Sequence, residues 1–423
     1  MLMVKSFPTR LQVFKDIGEL LSLKGVVAKD GRRIVEDDLS IIPRAIMVAK
    51  EGRVAWVGSE AEFKKVEIKQ FGEQVKFEFH SLEGRTVMPA FVEPHTHLVF
   101  AGDRSEEFEW RQSGLTYQEI AQKGGGILST VKATRQASES DLLALAQLRA
   151  QRFLRQGVTT LEVKSGYGLS LESELRILKV AKQIQGPRVV TTYLGPHSRS
   201  PEAATYADTF EQVLNHDLEK VIASGLADRA DIYIEKGFFT VEQGERYFAR
   251  LKERGFPFTA HVEQLSELGG IGAALKFGPQ SVDHVVYATA ADISALAAAP
   301  ASAVLLPTSD FYLKMKYPPA REMIQAGVRV ALSTDFNPGT SPTDDLSLVG
   351  VLARIEMKMT LPEVLAAYTY GSACALGLGA YLGSLSIGKL CDFNVLQGSW
   401  RNLFYSVGTH PIHQVYREGK LIS

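Results

Sequence analysis

Cysteine is nearly absent. Cys374 and Cys391 are the only two in 423 residues, too few for a disulfide framework or a four-thiolate zinc site. Both are read as small buried hydrophobes. An excess of one charge is missing too: 47 lysines and arginines face 48 aspartates and glutamates, a formal net charge of −1. That balance offers no long-range field for nucleic acid or an anionic membrane. No apolar run approaches the ~20 residues of a membrane span, and the small-residue stretch from Ala295 stops at Pro307. The opening MLMVKSFPTRLQVFKDIGELL lacks an apolar core and a small-residue cleavage site, so no secretory signal is expected. What is present, 45% hydrophobic and 22% charged residues, suits a soluble globular protein. It is expected in the cytoplasm.

The middle of the chain alternates short β-branched runs with longer stretches of helical period, the pattern of βα units around a parallel sheet. The runs predict strands at Val87–Glu93, Val158–Val163, Val189–Leu194, Asp231–Glu235, Phe258–Glu263, Ser281–Val286, Ala303–Leu306 and Val328–Ser333. Eight such units imply an α/β fold, a closed (β/α)8 TIM barrel. Helix formers such as LESELRILKVAKQI and VEQGERYFARLKERG fill the intervals, with Gly255 as a stop. A capping box, Thr360 to Glu363, opens TLPEVLAAYTYG. The flanks carry hairpin signals at Glu51-Gly52 and Glu418-Gly419. The segment after Leu378 is too short for a core of its own, so residues 1–86 and 379–423 are expected to build one composite β-sandwich. The barrel, 87–378, is inserted between them.

A barrel of this kind works at the C-terminal ends of its strands. The first predicted strand ends in FVEPHTHLVF, where His95 and His97, two apart on extended chain, share one side. His261 ends the fifth in FTAHVEQ, His284 the sixth in SVDHVVY and Asp335 the eighth in VALSTDFNPGT, while His197 follows the third in YLGPHS. The other four of nine histidines, His80, His216, His410 and His413, lie outside the barrel strands. Three neutral imidazoles and a carboxylate around one ion fit a catalytic Zn2+ or Fe2+ site with room for water. Such an ion makes hydroxide available near neutral pH, which predicts hydrolysis.

These residues, with a β domain from both ends, resemble the amidohydrolase superfamily. PHTHLVFAG, QKGGGILSTV, EVKSGYGL, DFNPGTSPT and HQVYREG look more closely like the imidazolonepropionase family, from about Ile17 to the C-terminus. The resemblance implies hydrolysis of the cyclic amide of 4-imidazolone-5-propanoate to N-formimidoyl-L-glutamate, in histidine degradation. It also implies one divalent ion per chain, held by His95, His97, His261 and Asp335. Arg104 matches the family's arginine after HTH, and a guanidinium suits the substrate's propanoate. Tyr167, His197, Asn337, Gly339 and Thr340 match substrate-contacting positions. Asp335 or His284 is read as the base.

Gln264 stands where the family carries an acidic or amide side chain. An amide cannot take a proton, so it is read as orienting the ring. Pro196 and the HVEQ run depart from the usual pattern and bear on fine positioning. Lys236 is read as a solvated lysine rather than a bridge between two ions. Gly124-Gly125-Gly126 lacks the Lys-Ser/Thr of a phosphate loop and is read as a mobile loop placed to cover the pocket. Three rivals stand beside this reading: a different mononuclear amidohydrolase, such as an aromatic-base deaminase or other cyclic-amide hydrolase; a lyase using Lys164 as a Schiff-base amine; and a non-catalytic scaffold. The sequence allows a homodimer without specifying one, and does not choose between Zn2+ and Fe2+.

Overall fold

The computed structural model describes residues 9–67, 71, 75–115, 119, 123 and 125–423. Eight short parallel staves surround its centre: Phe91–Glu93, Val158–Lys164, Arg188–Tyr193, Arg229–Ala230 with Tyr233–Ile234, Thr259–Val262, Ser281–His284, Ser302–Leu305 and Arg329–Leu332. Each corresponds to a run that the sequence predicts as a strand. They are hydrogen-bonded as a four-stranded and a five-stranded piece that meet within the fourth stave. Single parallel bridges, Ala230 to Phe258 and Thr96 to Phe336, close the two seams into a barrel.

The first stave begins later than the sequence implies. Val87, Met88 and Pro89 belong to a 15-residue strand, Val75–Pro89, that pairs with Phe393–Leu396 outside the barrel. Pro89 has no N–H to extend a ladder, and the chain changes sheets just beyond it.

Helices wrap the staves by their apolar stripes. Glu139–Arg155 starts at Ser138, whose Oγ accepts from Asp141 N at 3.1 Å, and buries Leu142, Ala146, Ala150 and Phe153 at turn-like spacing. Each large side chain buried this way contributes ~1.5–3 kcal/mol. The capping box at Thr360 is present, its N–H donating to Glu363 Oε2 at 2.7 Å.

Both termini meet in one sheet of seven strands. Its order is Lys420–Leu421, Ile412–Arg417, Phe393–Leu396, Val75–Pro89, Thr9–Leu21, Ile41–Lys50 and Arg53–Ser59. The β unit expected as a sandwich is thus built as a single sheet with an apolar cluster on each face. Alternation decides which residue goes where: Met47 packs with Phe14 and Phe393, while Ile46 and Val48 pack opposite with Leu11 and Val13. The two hairpins turn as expected. Glu51 and Gly52 have φ of 51° and 75°, Glu418 and Gly419 of 51° and 73°, the left-handed pair of a type I′ turn. Among the described residues, no helix is long and apolar enough to cross a membrane.

Candidate metal centre and active site

At the rim where the staves end, four side chains gather around His95. Ligand atoms of His95, His97 and Asp335 lie within 4.8 Å of one another, and so do those of His95, His261 and His284. His95 Nε2 is 3.4 Å and His97 Nε2 3.6 Å from the same Asp335 oxygen, Oδ1. Burial holds His95, His97 and His284 well below the ordinary histidine pKa, so each imidazole is neutral near pH 7. Burial pushes the Asp335 carboxyl the other way, to about 7. Two of these positions are strained: His284 and Asp335 adopt φ of 76° and 53°, and Val285 follows at 51°. Non-glycine residues hold such angles only where their surroundings impose them.

The arrangement fits a cation. His95 Nδ1 donates to Asp283 Oδ2 at 2.7 Å, which leaves Nε2 unprotonated. That Nε2 is buried and finds no hydrogen-bond partner among the described residues. An unshared electron pair facing a carboxylate suits a borderline divalent ion such as Zn2+ or Fe2+. His284, read from sequence as a base, is as close to His95 and His261 as a ligand would be.

A buried charge cluster lies behind the imidazoles. Lys164 Nζ lies 2.8 Å from Asp231 Oδ2, 3.0 Å from Glu162 Oε1 and 3.5 Å from Asp283 Oδ2. All four side chains are fully buried. Burial alone would depress the Lys164 ammonium, but Asp231, Glu162 and Asp283 outweigh it and hold it above its ordinary value. Protonated, enclosed and absent from the cavity wall, Lys164 does not serve as a Schiff-base amine. Across the seam between first and eighth staves, Glu93 accepts from Thr334 N and Thr334 Oγ1, both at 2.7 Å, and from Ser333 Oγ. Sequence reasoning missed Glu93, Asp231 and Asp283, and considered Lys164 only as the amine of a rival lyase. The available signal was a charge inside a strand predicted to be buried, which must find a partner there.

A cavity of about 210 Å³ opens in front of the cluster. His97, Arg104, Tyr167, His197, His261, Gln264, His284, Asp335, Asn337 and Thr340 line it, with Ile127, Phe238, Leu265 and Leu313 as apolar wall. His197 stacks on His97 with ring centres 5.2 Å apart, and its Nδ1 donates to Gly166 O at 3.0 Å. Burial raises the Tyr167 phenol and lowers His197 to about 4, so both are neutral hydrogen-bonding groups. Gly339 lies under Arg104: a Cβ there would be 1.9 Å from Nη1. Asn337 is spent on its own loop, donating to Asp335 O at 2.7 Å and accepting from Thr340 N at 2.7 Å and Gly339 N at 2.9 Å.

The acid beside Gln264 does not replace it. Glu263 accepts from Gly270 N and Ile271 N at a helix start, away from the cavity. Lys236 is exposed and takes no part in the wall. In the glycine run, Gly124 lies outside the described residues; Gly126 N donates to Glu107 Oε2 at 2.7 Å. His80, His216, His410 and His413 do not line the cavity.

Residues 86–422 match the amidohydrolase family. The imidazolonepropionase of Bdellovibrio bacteriovorus is 48% identical over 97% of this chain and 96% of its own length. That of Bacillus velezensis is 37% identical over 97% and 96%. Among solved structures, an adenosine deaminase from Xanthomonas campestris with bound Zn superposes with TM-score 0.71 at 18% identity, covering 98% of this chain and 93% of that one. E. coli guanine deaminase gives 0.69 at 17%, covering 98% and 99%. At such identities the structural likenesses speak for the fold alone. Family membership implies a divalent metal ion at the site and a small-molecule substrate. The chain belongs to the amidohydrolase family and, within it, to the imidazolonepropionases.

Proposed function

We propose that this chain hydrolyses the cyclic amide of 4-imidazolone-5-propanoate to N-formimidoyl-L-glutamate, using one divalent ion, Zn2+ or Fe2+, per chain. The observation that carries the reading is one cavity with Arg104 in its wall and the neutral imidazoles with Asp335 at its end. The same reading assigns catalysis to the barrel, which begins beyond Pro89 and runs to 378, carried on a β domain built from both ends of the chain, working in the cytoplasm.

His95, His97, His261 and Asp335 would hold the ion, which supplies acidity to water and polarisation to a carbonyl. Arg104 receives the propanoate through its Nη1 edge. Tyr167 and His197 hold the ring by neutral hydrogen bonds, and Gln264 fixes its rotation. With the substrate so confined, water meets one face of the ring carbonyl.

Asp335 takes the water's proton as oxygen bonds to the carbonyl carbon. His284 steadies the charge developing on the carbonyl oxygen. The ring C–N bond then breaks, and the proton passes from Asp335 to the departing nitrogen. The carbonyl carbon becomes a carboxylic acid on the opened chain, which releases its remaining proton to solvent as the new carboxylate.

Loss of imidazolone absorbance, followed with metal-reconstituted protein and then with His95→Ala, tests the reading. Turnover is expected from the first and not from the second. Inactive reconstituted enzyme, or an unimpaired variant, defeats it. Release of ammonia would mark a deaminase instead.

A further inference from the structure

Each carboxylate behind the metal-site imidazoles uses a single oxygen twice. Asp283 Oδ2 meets His95 Nδ1 at 2.7 Å and Lys164 Nζ at 3.5 Å. Asp231 Oδ2 meets His261 Nδ1 at 2.8 Å and Lys164 Nζ at 2.8 Å. One ammonium therefore sits between two imidazole–carboxylate pairs that come from different staves.

We propose that Lys164 is a positioning residue for the metal centre, anchoring Asp231 and Asp283 so that His261 and His95 present Nε2 to the same ion. The inference rests on the ligand assignment made under the proposed function. Carboxylates that accept from a ligating histidine fix its tautomer and ring orientation, but a carboxylate must itself be fixed to do so. Glu162, the ammonium's third partner at 3.0 Å, touches no imidazole and serves to hold Lys164 in place.

Charge and positioning predict opposite signs here, which makes the idea decidable. Formally, Lys164 and Arg229, the latter 3.7 Å from Glu162 Oε1, face Glu162, Asp231 and Asp283. Removing Lys164 leaves the cluster more negative. Coulomb's law alone would then strengthen the hold on a dication. If Lys164 positions the ligands, the hold weakens.

The experiment measures Zn2+ dissociation constants by competition with a chromophoric chelator, for wild type, Lys164→Met and Lys164→Arg. It also records the visible spectrum of each protein loaded with Co2+, which reads ligand geometry directly. Lys164→Met is expected to bind Zn2+ ~10- to 100-fold more weakly, the range for loss of a partner that supports a metal-binding histidine, with an altered Co2+ spectrum. A folded Lys164→Met protein that binds Zn2+ as tightly as wild type, or more tightly, overturns the proposal.

Should Lys164→Met not fold, Lys164→Arg decides. It keeps the charge but cannot place a point cation between the same two oxygens, so weaker binding and a shifted spectrum are expected. Wild-type affinity and spectrum overturn the proposal. Wild-type protein that binds no Zn2+ removes the ligand assignment and this inference together, whereas tight binding by all three proteins removes this inference alone.

Discussion

Glu107 takes one whole edge of the Arg104 guanidinium: Nε donates to Oε2 at 2.8 Å and Nη2 to Oε1 at 2.6 Å. Nη1 is left beside Gly339, in the wall of the cavity. Arg104 is thus held before any substrate arrives. Lysine cannot accept this two-point hold. Arg104→Lys is expected to raise KM roughly ten- to hundredfold, the equivalent of about 1.5–3 kcal/mol for a charge-assisted hydrogen bond, with a smaller change in kcat. Glu107→Gln should raise KM less. Steady-state kinetics on both variants checks this, and an unchanged KM for Arg104→Lys refutes the assignment.

Gly339→Ala tests the same contact from the other side. The added methyl would lie 1.9 Å from Arg104 Nη1 and 2.5 Å from its Cζ, so the guanidinium must move. KM is expected to rise several-fold while far-UV circular dichroism stays that of wild type. A wild-type KM would show that Arg104 can shift without loss.

Gln264→Glu asks whether the cavity needs an additional base. Gln264 lines the wall, and its acidic neighbour Glu263 is engaged at a helix start. A residue that only orients the ring tolerates the change, so substantial activity should remain. Abolished activity with intact metal content would count against an orienting role.

Lys389 gives a pH signature away from the active site. Burial lowers its ammonium from 10.5 to about 8, where Nζ donates to Gly379 O and Leu382 O. Between those two values the unfolded chain keeps a proton that the folded chain has released. Stability from this group therefore rises with pH across that window and is flat below it. Melting temperatures of wild type and Lys389→Met, compared from pH 7.5 to 10, should diverge in favour of wild type as pH increases. A constant difference would remove the assignment.

The eight staves were legible because each is a short apolar run bounded by polar helix starts, and the metal-site residues because they cluster at the ends of those runs. The polar interior was not. Lys164 and Glu162 alternate with Val163 in LEVKS, and Asp283 follows Val282 in SVDH, but period two says only that neighbours face opposite ways. Which face becomes the inside depends on closure, a long-range fact. Asn337 was legible as a site residue, yet its hydrogen bonds to its own loop depend on turn geometry. Val87–Pro89 could not be divided from Phe91–Glu93 by pattern, since both are apolar and only Ala90 lies between.

The seam between the first and eighth staves has one backbone bridge, Thr96 to Phe336, and the Glu93 clasp. His95 and His97 stand on one side of it and Asp335 on the other. An ion shared among them would act as a rivet through a join of the wall that a single backbone bridge closes. Losing it would then cost the enzyme mechanical closure as well as chemistry, and amide protons flanking Thr96 and Phe336 would be the first in the barrel to exchange.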